Sequence, residues 1–391
     1  MLRTHHRPLR TRHGLAVTSL ALAVAILSAA CGSSNPKPAA TSSTVAPGTV
    51  SLQGKTFDFA ISDGSAPVYV QQEEIFKKQA QKLGATVNVY DNHGTAEAMM
   101  SNASVMVASK PDVIVEYPSV ANATSRVGAI FTRANIPCIA INVPVPGCPL
   151  FNFDQRYLAN LGAQAMAAQM KQRGWTGKDT TVVVGQALAL GPSVSIAGTS
   201  YYEALSGLVP GMTPVKASTI TDGTTTINGD QGVQADVGVT LNGAYSKIAE
   251  LLQTIPKSNH LVVYTVSDDP TLGARRAVQN AGRSGNAIFT GYGGDTDALA
   301  ALRANNGWVT EQMGFFLYWG EFVLAMAAAD SQGVRPPALT APPMVVLTKQ
   351  NVDSFFTAGT DNLIKMPALP SESAYLYKTG VLQKYGNVAG A

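Results

Sequence analysis

Between residues 55 and 348, short apolar runs rich in β-branched residues alternate with longer segments in which apolar side chains recur every three or four positions. The runs at 56–61, 85–90, 113–116, 138–141, 180–184, 261–266 and 288–292 predict strands. They are mostly apolar at odd and even positions alike, the mark of strands covered on both faces. The segments 69–83, 95–108, 121–134, 157–172, 200–208, 244–255, 269–281 and 295–304 carry the helical period. Strands of this kind separated by amphipathic helices predict α/β architecture with parallel sheets. Seven strands and eight helices exceed one small doubly wound unit and fit two such lobes, with ligand-bearing loops at the C-terminal strand ends.

Local signals punctuate the same elements. Gly84 after Lys82-Leu83 and Gly282 after Asn280-Ala281 read as helix-ending glycines. Ser267 and Asp268 fall where a strand ends and a helix begins, the position for an N-cap. The stretch 219–239, dense in Asp, Gly, Thr and Asn, predicts an elaborated loop beside the second lobe's ligand pocket. Beyond residue 366 no period emerges.

The N-terminus has a different pattern. Four arginines precede 14–30, which hold no charge, and small residues follow: a secretory signal over 1–30, with an uncleaved anchor as the lesser reading. Leu27-Ser28-Ala29-Ala30-Cys31-Gly32 resembles the lipobox of bacterial lipoproteins, although Ser28 stands where leucine is usual. The resemblance implies lipidation of Cys31 and an exported chain anchored to the outer face of the cell membrane; ordinary cleavage beside an incidental thiol is the alternative. Residues 31–53, rich in Ser, Thr, Pro and Ala, predict a disordered tether.

Composition narrows the function. The net charge is +3, but without the four signal arginines 24 basic side chains face 25 acidic ones, which argues against nucleic-acid binding. Assigning Cys31 to lipid leaves Cys138 and Cys148, either a disulfide in an oxidising compartment or two buried thiols. Only His93 and His260 lie outside the signal, and neither zinc-ligand spacing, Walker loop, GxGxxG nor GxSxG occurs. No metal, no cofactor and no catalysis are expected.

Three stretches carry a resemblance. FAISDGSAPVYVQQEEIFKKQAQKLG (59–84), YTVSDDPTLGARRAVQNAG (264–282) and FTGYGGDTDALAALRANNGWVTEQ (289–312) resemble, in order, segments of the type I periplasmic binding proteins, specifically the ribose/galactose-binding branch that serves ABC sugar importers. The resemblance implies two lobes joined by three crossovers: 54–155 with 313–342, and 156–312 with 343–365, leaving 366–391 as a tail. It implies a monomer that closes over a small polar ligand, most simply a sugar, for an ABC permease. A ligand-sensing receptor subunit of the same fold is the alternative. A repressor of this fold would need a DNA-binding headpiece where the signal stands.

The candidate ligand residues are Asp63, Tyr69, Tyr117, Asn142, Ser195, Ser267, Asp295 and Gln312. Tyr69 matches a family aromatic and Gln312 the glutamine near the last crossover. Ser267 replaces the usual Asn, Asn142-Val143 an Asp-Arg pair, and Ser195 falls near an expected Arg. Gly293 replaces an Asp, with Asp295 two positions on. Asp63 suits ligand hydroxyls and a turn equally; Tyr117 and Asn142 follow buried strands, where turn residues are also common. Asp268 fits a helix cap better than a ligand contact, and the aromatics Trp308, Phe315, Phe316 and Trp319 fit core packing better than stacking.

Overall fold

A computed structural model describes residues 50–391. The signal, Cys31 and most of the expected tether lie outside the described residues. No helix among the described residues is long and apolar enough to cross a membrane. The last part of the expected tether is packed: Leu52 is buried, and its N–H donates to the Leu83 carbonyl.

The first set of elements is β1 (Thr56–Ile61), α1 (Pro67–Lys82), β2 (Thr86–Asp91), α2 (Ala96–Ser109), β3 (Val113–Glu116), α3 (Thr124–Ala134), β4 (Cys138–Ile141) and β5 (Leu150–Phe151). The second is α4 (Gln155–Arg173), β6 (Thr180–Gln186), α5 (Pro192–Leu208), β7 (Thr226–Ile227), β8 (Gly232–Asp236), α6 (Leu241–Leu251), β9 (His260–Tyr264), α7 (Asp268–Asn280), β10 (Ala287–Tyr292), α8 (Thr296–Ala304) and β11 (Trp308–Met313). The chain ends with α9 (Trp319–Ser331), β12 (Leu339–Thr340), β13 (Val345–Leu347) and α10 (Val381–Tyr385).

Two sheets result, in the orders β2-β1-β3-β4-β5-β12 and β7-β8-β6-β9-β10-β11-β13. Only β7–β8 and β11–β13 pair antiparallel, at sheet edges. From strand to strand the chain passes between the sheets three times, from β5 to α4, from β11 to α9 and from β12 to β13, and its C-terminal segment then returns to the first sheet's side.

Each sheet is buried on both faces because its strands carry apolar residues at odd and even positions alike. In the first, Phe57 and Phe59 meet Phe76 of α1 edge-on, while Ile114 packs with Met106, Val127 and Phe131 on the other face. In the second, Val182, Val184 and Tyr264 share a core with α4 and α5, and Val183, Leu261 and Val263 one with α6 and α7. Helix α9 is buried nearly all round. The C-terminal segment, silent in sequence, lays Leu376, Val381 and Leu382 into the first core and bonds the Ser373 hydroxyl to the Ala341 N–H. Cys138 and Cys148 form a disulfide that ties β4 to the loop before β5.

The structure corrects two expectations. The stretch 219–239 contains β7 and β8, and β8 runs parallel beside β6. Its polar side chains stitch the edge: Gln234 Nε2 donates to the Thr221 and Thr224 carbonyls. Helix α5 starts at Pro192, eight residues before the expected 200, because proline suits the first turn, where no amide donor is needed.

Candidate functional site

The C-terminal strand ends of the first sheet form one wall. After β1, the Asp63 carboxylate accepts from the Ser65 N–H at 2.9 Å and the Ser65 hydroxyl at 2.7 Å, which holds its carboxyl below the usual range. Asp91, at the end of β2, accepts from the N–H groups of Gly64 (3.0 Å) and His93 (2.7 Å). A Cβ at Gly64 would stand 2.3 Å from an Asp91 oxygen, so a side chain there would push the Asp91 carboxylate out of this pairing. The Tyr69 ring rests edge-on against Tyr117, with centroids 4.8 Å apart. Tyr117 is 1% exposed, its hydroxyl has no partner, and burial pushes its phenol well up. Asn142 follows β4 in the left-handed region (φ 65°), its N–H donating to the Phe151 carbonyl at 2.9 Å.

The second sheet supplies the other wall. Ser267 caps α7 by position only: its side chain makes no capping bond, and its carbonyl accepts from the Thr265 and Thr271 hydroxyls. Asp268 reaches across to the loop after β10, accepting from the N–H groups of Tyr292 (2.7 Å), Gly294 (2.7 Å) and Asp295 (2.9 Å). Glu311 lies beside it and accepts from Trp308 Nε1 at 3.0 Å; burial, then the neighbouring Asp268 charge, push its carboxyl well up. Glycine at 291 leaves the room, since a Cβ there would lie 1.8 Å from Glu311 Oε2. Asp295 is partly buried, and desolvation with the charge of Asp268 raises its carboxyl to about 7.

The structure thus brings Asp63, Tyr69 and Tyr117 together at the first sheet, and sets Ser267 and Asp295 at neighbouring strand ends of the second. Ser195 and Gln312 lie deeper, in the layer between the second sheet and helices α4 and α5. Ser195 is buried with an unpartnered hydroxyl. Gln312 is fully buried against Gly162 of α4, its Nε2 donating to the Thr290 hydroxyl at 3.4 Å. That layer holds polar groups the sequence reading passed over. Gln186 ends β6 and donates to the Ser195 carbonyl and Gln234; Tyr201 stacks on Tyr264 at 4.8 Å, both hydroxyls unpartnered. The available signal was a polar or aromatic residue closing an otherwise apolar strand.

The walls meet. A Cβ on Gly191, before α5, would lie 2.9 Å from the Cβ of Ala121, before α3. Phe153, in the first crossover, packs on Tyr292 (5.3 Å) and Trp319 (4.7 Å). Two surface grooves lie elsewhere: one of about 540 Å³ between α4 and α5, lined by Arg156, Ser200 and Glu203, and one of about 550 Å³ beside Gly128 and Pro146. Among the described residues no group of three His, Cys, Asp or Glu side chains is arranged to hold a metal ion.

Residues 57–331 match the family model described as "Periplasmic binding protein domain". A comparison with curated proteins finds no match. Among solved structures, an ABC sugar transporter subunit from Rhodobacter sphaeroides is 19% identical with a TM-score of 0.64, over 77% of this chain and all of its own. A periplasmic solute-binding protein from Actinobacillus succinogenes, with bound D-allose, is 16% identical (TM-score 0.62), again over 77% of this chain and all of its own. A solute-binding protein from Mycobacterium smegmatis, with bound glycerol, is 18% identical (TM-score 0.63), over 77% of this chain and 96% of its own. At such identities the likeness speaks for the fold. With most of the chain covered by the family model and two parallel-sheet lobes joined by three crossovers, the protein belongs to the periplasmic binding protein family, in its type I fold.

Proposed function

We propose that the protein is an exported, non-catalytic receptor that encloses a small polar molecule, a sugar, between its lobes and delivers it to an ABC importer. Lipid on Cys31 holds it at the outer face of the cell membrane. The lobes are 54–155 with 313–342, and 156–312 with 343–365; residues 366–391 belong with the first, and the molecule works as a monomer. The supporting observation is that loops following C-terminal strand ends of the two sheets come together, Gly191 after β6 against Ala121 after β3, and open α/β sheets bind ligands outside those ends. Polar loops from two lobes satisfy a polyhydroxylated ligand together only when closed, so ligand shifts the population towards closure. Asp63, Tyr69, Tyr117 and Asn142 contribute from the first lobe and Ser267 and Asp295 from the second, with Ser195 and Gln312 backing them from the helix–sheet layer. The sugars bound by the solved relatives point the same way.

The test is a thermal-shift screen of pentoses, hexoses, polyols and nucleosides, with native mass spectrometry of the purified protein. A binder present at about 100 times its Kd adds about 2.7 kcal/mol of stability. No shift with any compound would overturn the carbohydrate reading.

A further inference from the structure

The first crossover carries a hydrogen-bonded relay that begins at one lobe's strand ends and finishes at the other's. Asn142, after β4, offers its carbonyl to Asn152 Nδ2 at 2.7 Å. Asn152 is anchored by its N–H to the Thr340 carbonyl, at the third crossover, and its Oδ1 accepts from the Phe153 N–H and from Gln155 Nε2 (3.4 Å). Gln155 Oε1 accepts from the Tyr292 hydroxyl, at the end of β10, at 2.6 Å. Every side chain in the relay is buried: Asn152 is 2% exposed, Tyr292 7% and Gln155 9%.

We infer that Gln155 is a positioning residue that latches the closed form, its carboxamide tying Tyr292 of the second lobe to Asn152 and, through it, to Asn142 of the first. Rotation of one lobe about the crossovers changes the backbone between Asn152 and Gln155, which parts the longest link of the relay. Closure assembles these bonds away from water, where each is stronger and its loss dearer. Phe153 supplies the pivot. It lies among Tyr292, Phe316 and Trp319, and its ring occupies the space of any side chain at residue 314, which is why the second crossover carries glycine there.

The inference rests on the proposed two-lobe closure but is tested without a ligand. Spin labels at the exposed positions Ser104 of α2 and Gln253, after α6, report lobe separation by pulsed electron resonance in the ligand-free full chain. Tyr292→Phe lowers the ratio of closed to open molecules about fivefold, the loss of one net hydrogen bond, and Gln155→Leu, which breaks two links, lowers it further. The double variant matches Gln155→Leu alone, because Tyr292 then has no partner left to lose. Tyr292→Phe keeps the ring on Phe153 and carries the test should Gln155→Leu fail to fold. Unchanged distance distributions in Tyr292→Phe, or additive effects in the double variant, overturn the latch. Failure of every sugar to bind would instead strike the proposed ligand class and leave this measurement standing.

Discussion

Ala121→Val probes closure at the rim of the crevice. Ala121 opens the single 3-10 turn before α3, and Gly191 faces it from the second lobe with φ +80°. The approach is close enough that a Cβ on Gly191 would fall 2.9 Å from that of Ala121, inside any ordinary contact. Two added methyl groups on residue 121 therefore overfill a gap that exists only when the lobes meet. Overpacking of this kind costs about 1–3 kcal/mol. Charged to the closed form alone, and at 1.4 kcal/mol per decade, it weakens sugar binding about 5- to 150-fold. Isothermal titration with the sugar giving the largest thermal shift reads the affinity, and calorimetry of the ligand-free protein reads stability. The expected pattern is a large loss of affinity with an unchanged ligand-free Tm. Gly191→Ala makes a useful partner: it adds the same contact plus backbone strain of about 1–3 kcal/mol, since φ +80° with ψ −178° is a region that essentially only glycine adopts, so it lowers both quantities. If Ala121→Val leaves affinity intact, or lowers Tm as much as affinity, the contact is ordinary packing and the reasoning fails.

Three further outcomes follow from the packing. Burial raises the Glu116 carboxyl to about 8, against about 4.3 in an unfolded chain, so the fold keeps a proton that the unfolded state releases between those values. Stability then falls as pH rises through that window, by up to about 1.4 kcal/mol per unit, and Glu116→Gln flattens the urea-unfolding profile between pH 5 and 8; an equal slope in the variant refutes the assignment. Opening the Cys138–Cys148 loop, whose ends are ten residues apart, costs about 2–3 kcal/mol; reductant lowers the Tm of the native protein and spares Cys138→Ala/Cys148→Ala. Gly314→Ala places a Cβ 1.5 Å from a Phe153 ring carbon and destabilises by at least about 1–3 kcal/mol in chemical denaturation, whereas a tolerated alanine would mean the crossovers do not interlock as described.

Much of the fold was legible because apolar runs announce central strands. The expected 56–61, 113–116 and 138–141 coincide with β1, β3 and β4, and most helices fall within a few residues of their predicted spans. What escaped has a physical reason. β7 is a two-residue edge strand, and β8 (GVQAD) beside it carries Gln234, whose amide pairs the Thr221 and Thr224 carbonyls of the neighbouring loop, so both read as loop. β11 (WVTEQM) buries Glu311 and Gln312, which no hydropathy pattern admits as core. α9 is apolar all round and offers no amphipathic period. For the crevice, sequence resemblance located the strand-end loops but not the depth of their side chains: Ser195 and Gln312 share the right elements yet lie in the helix–sheet layer. Gln155 and Tyr292 gave no signal alone, because their contact joins positions 137 residues apart.

The central claim is that one sugar is enclosed by both lobes at once. A crystal structure of the protein with the sugar that gives the largest thermal shift tests it most directly. The account predicts the sugar buried between the two sets of strand ends, against Tyr69 and Asp63 on one side and the Ser267–Asp295 region on the other. Sugar found instead in the α4–α5 groove beside Arg156, or on one lobe with the crevice empty, would contradict it.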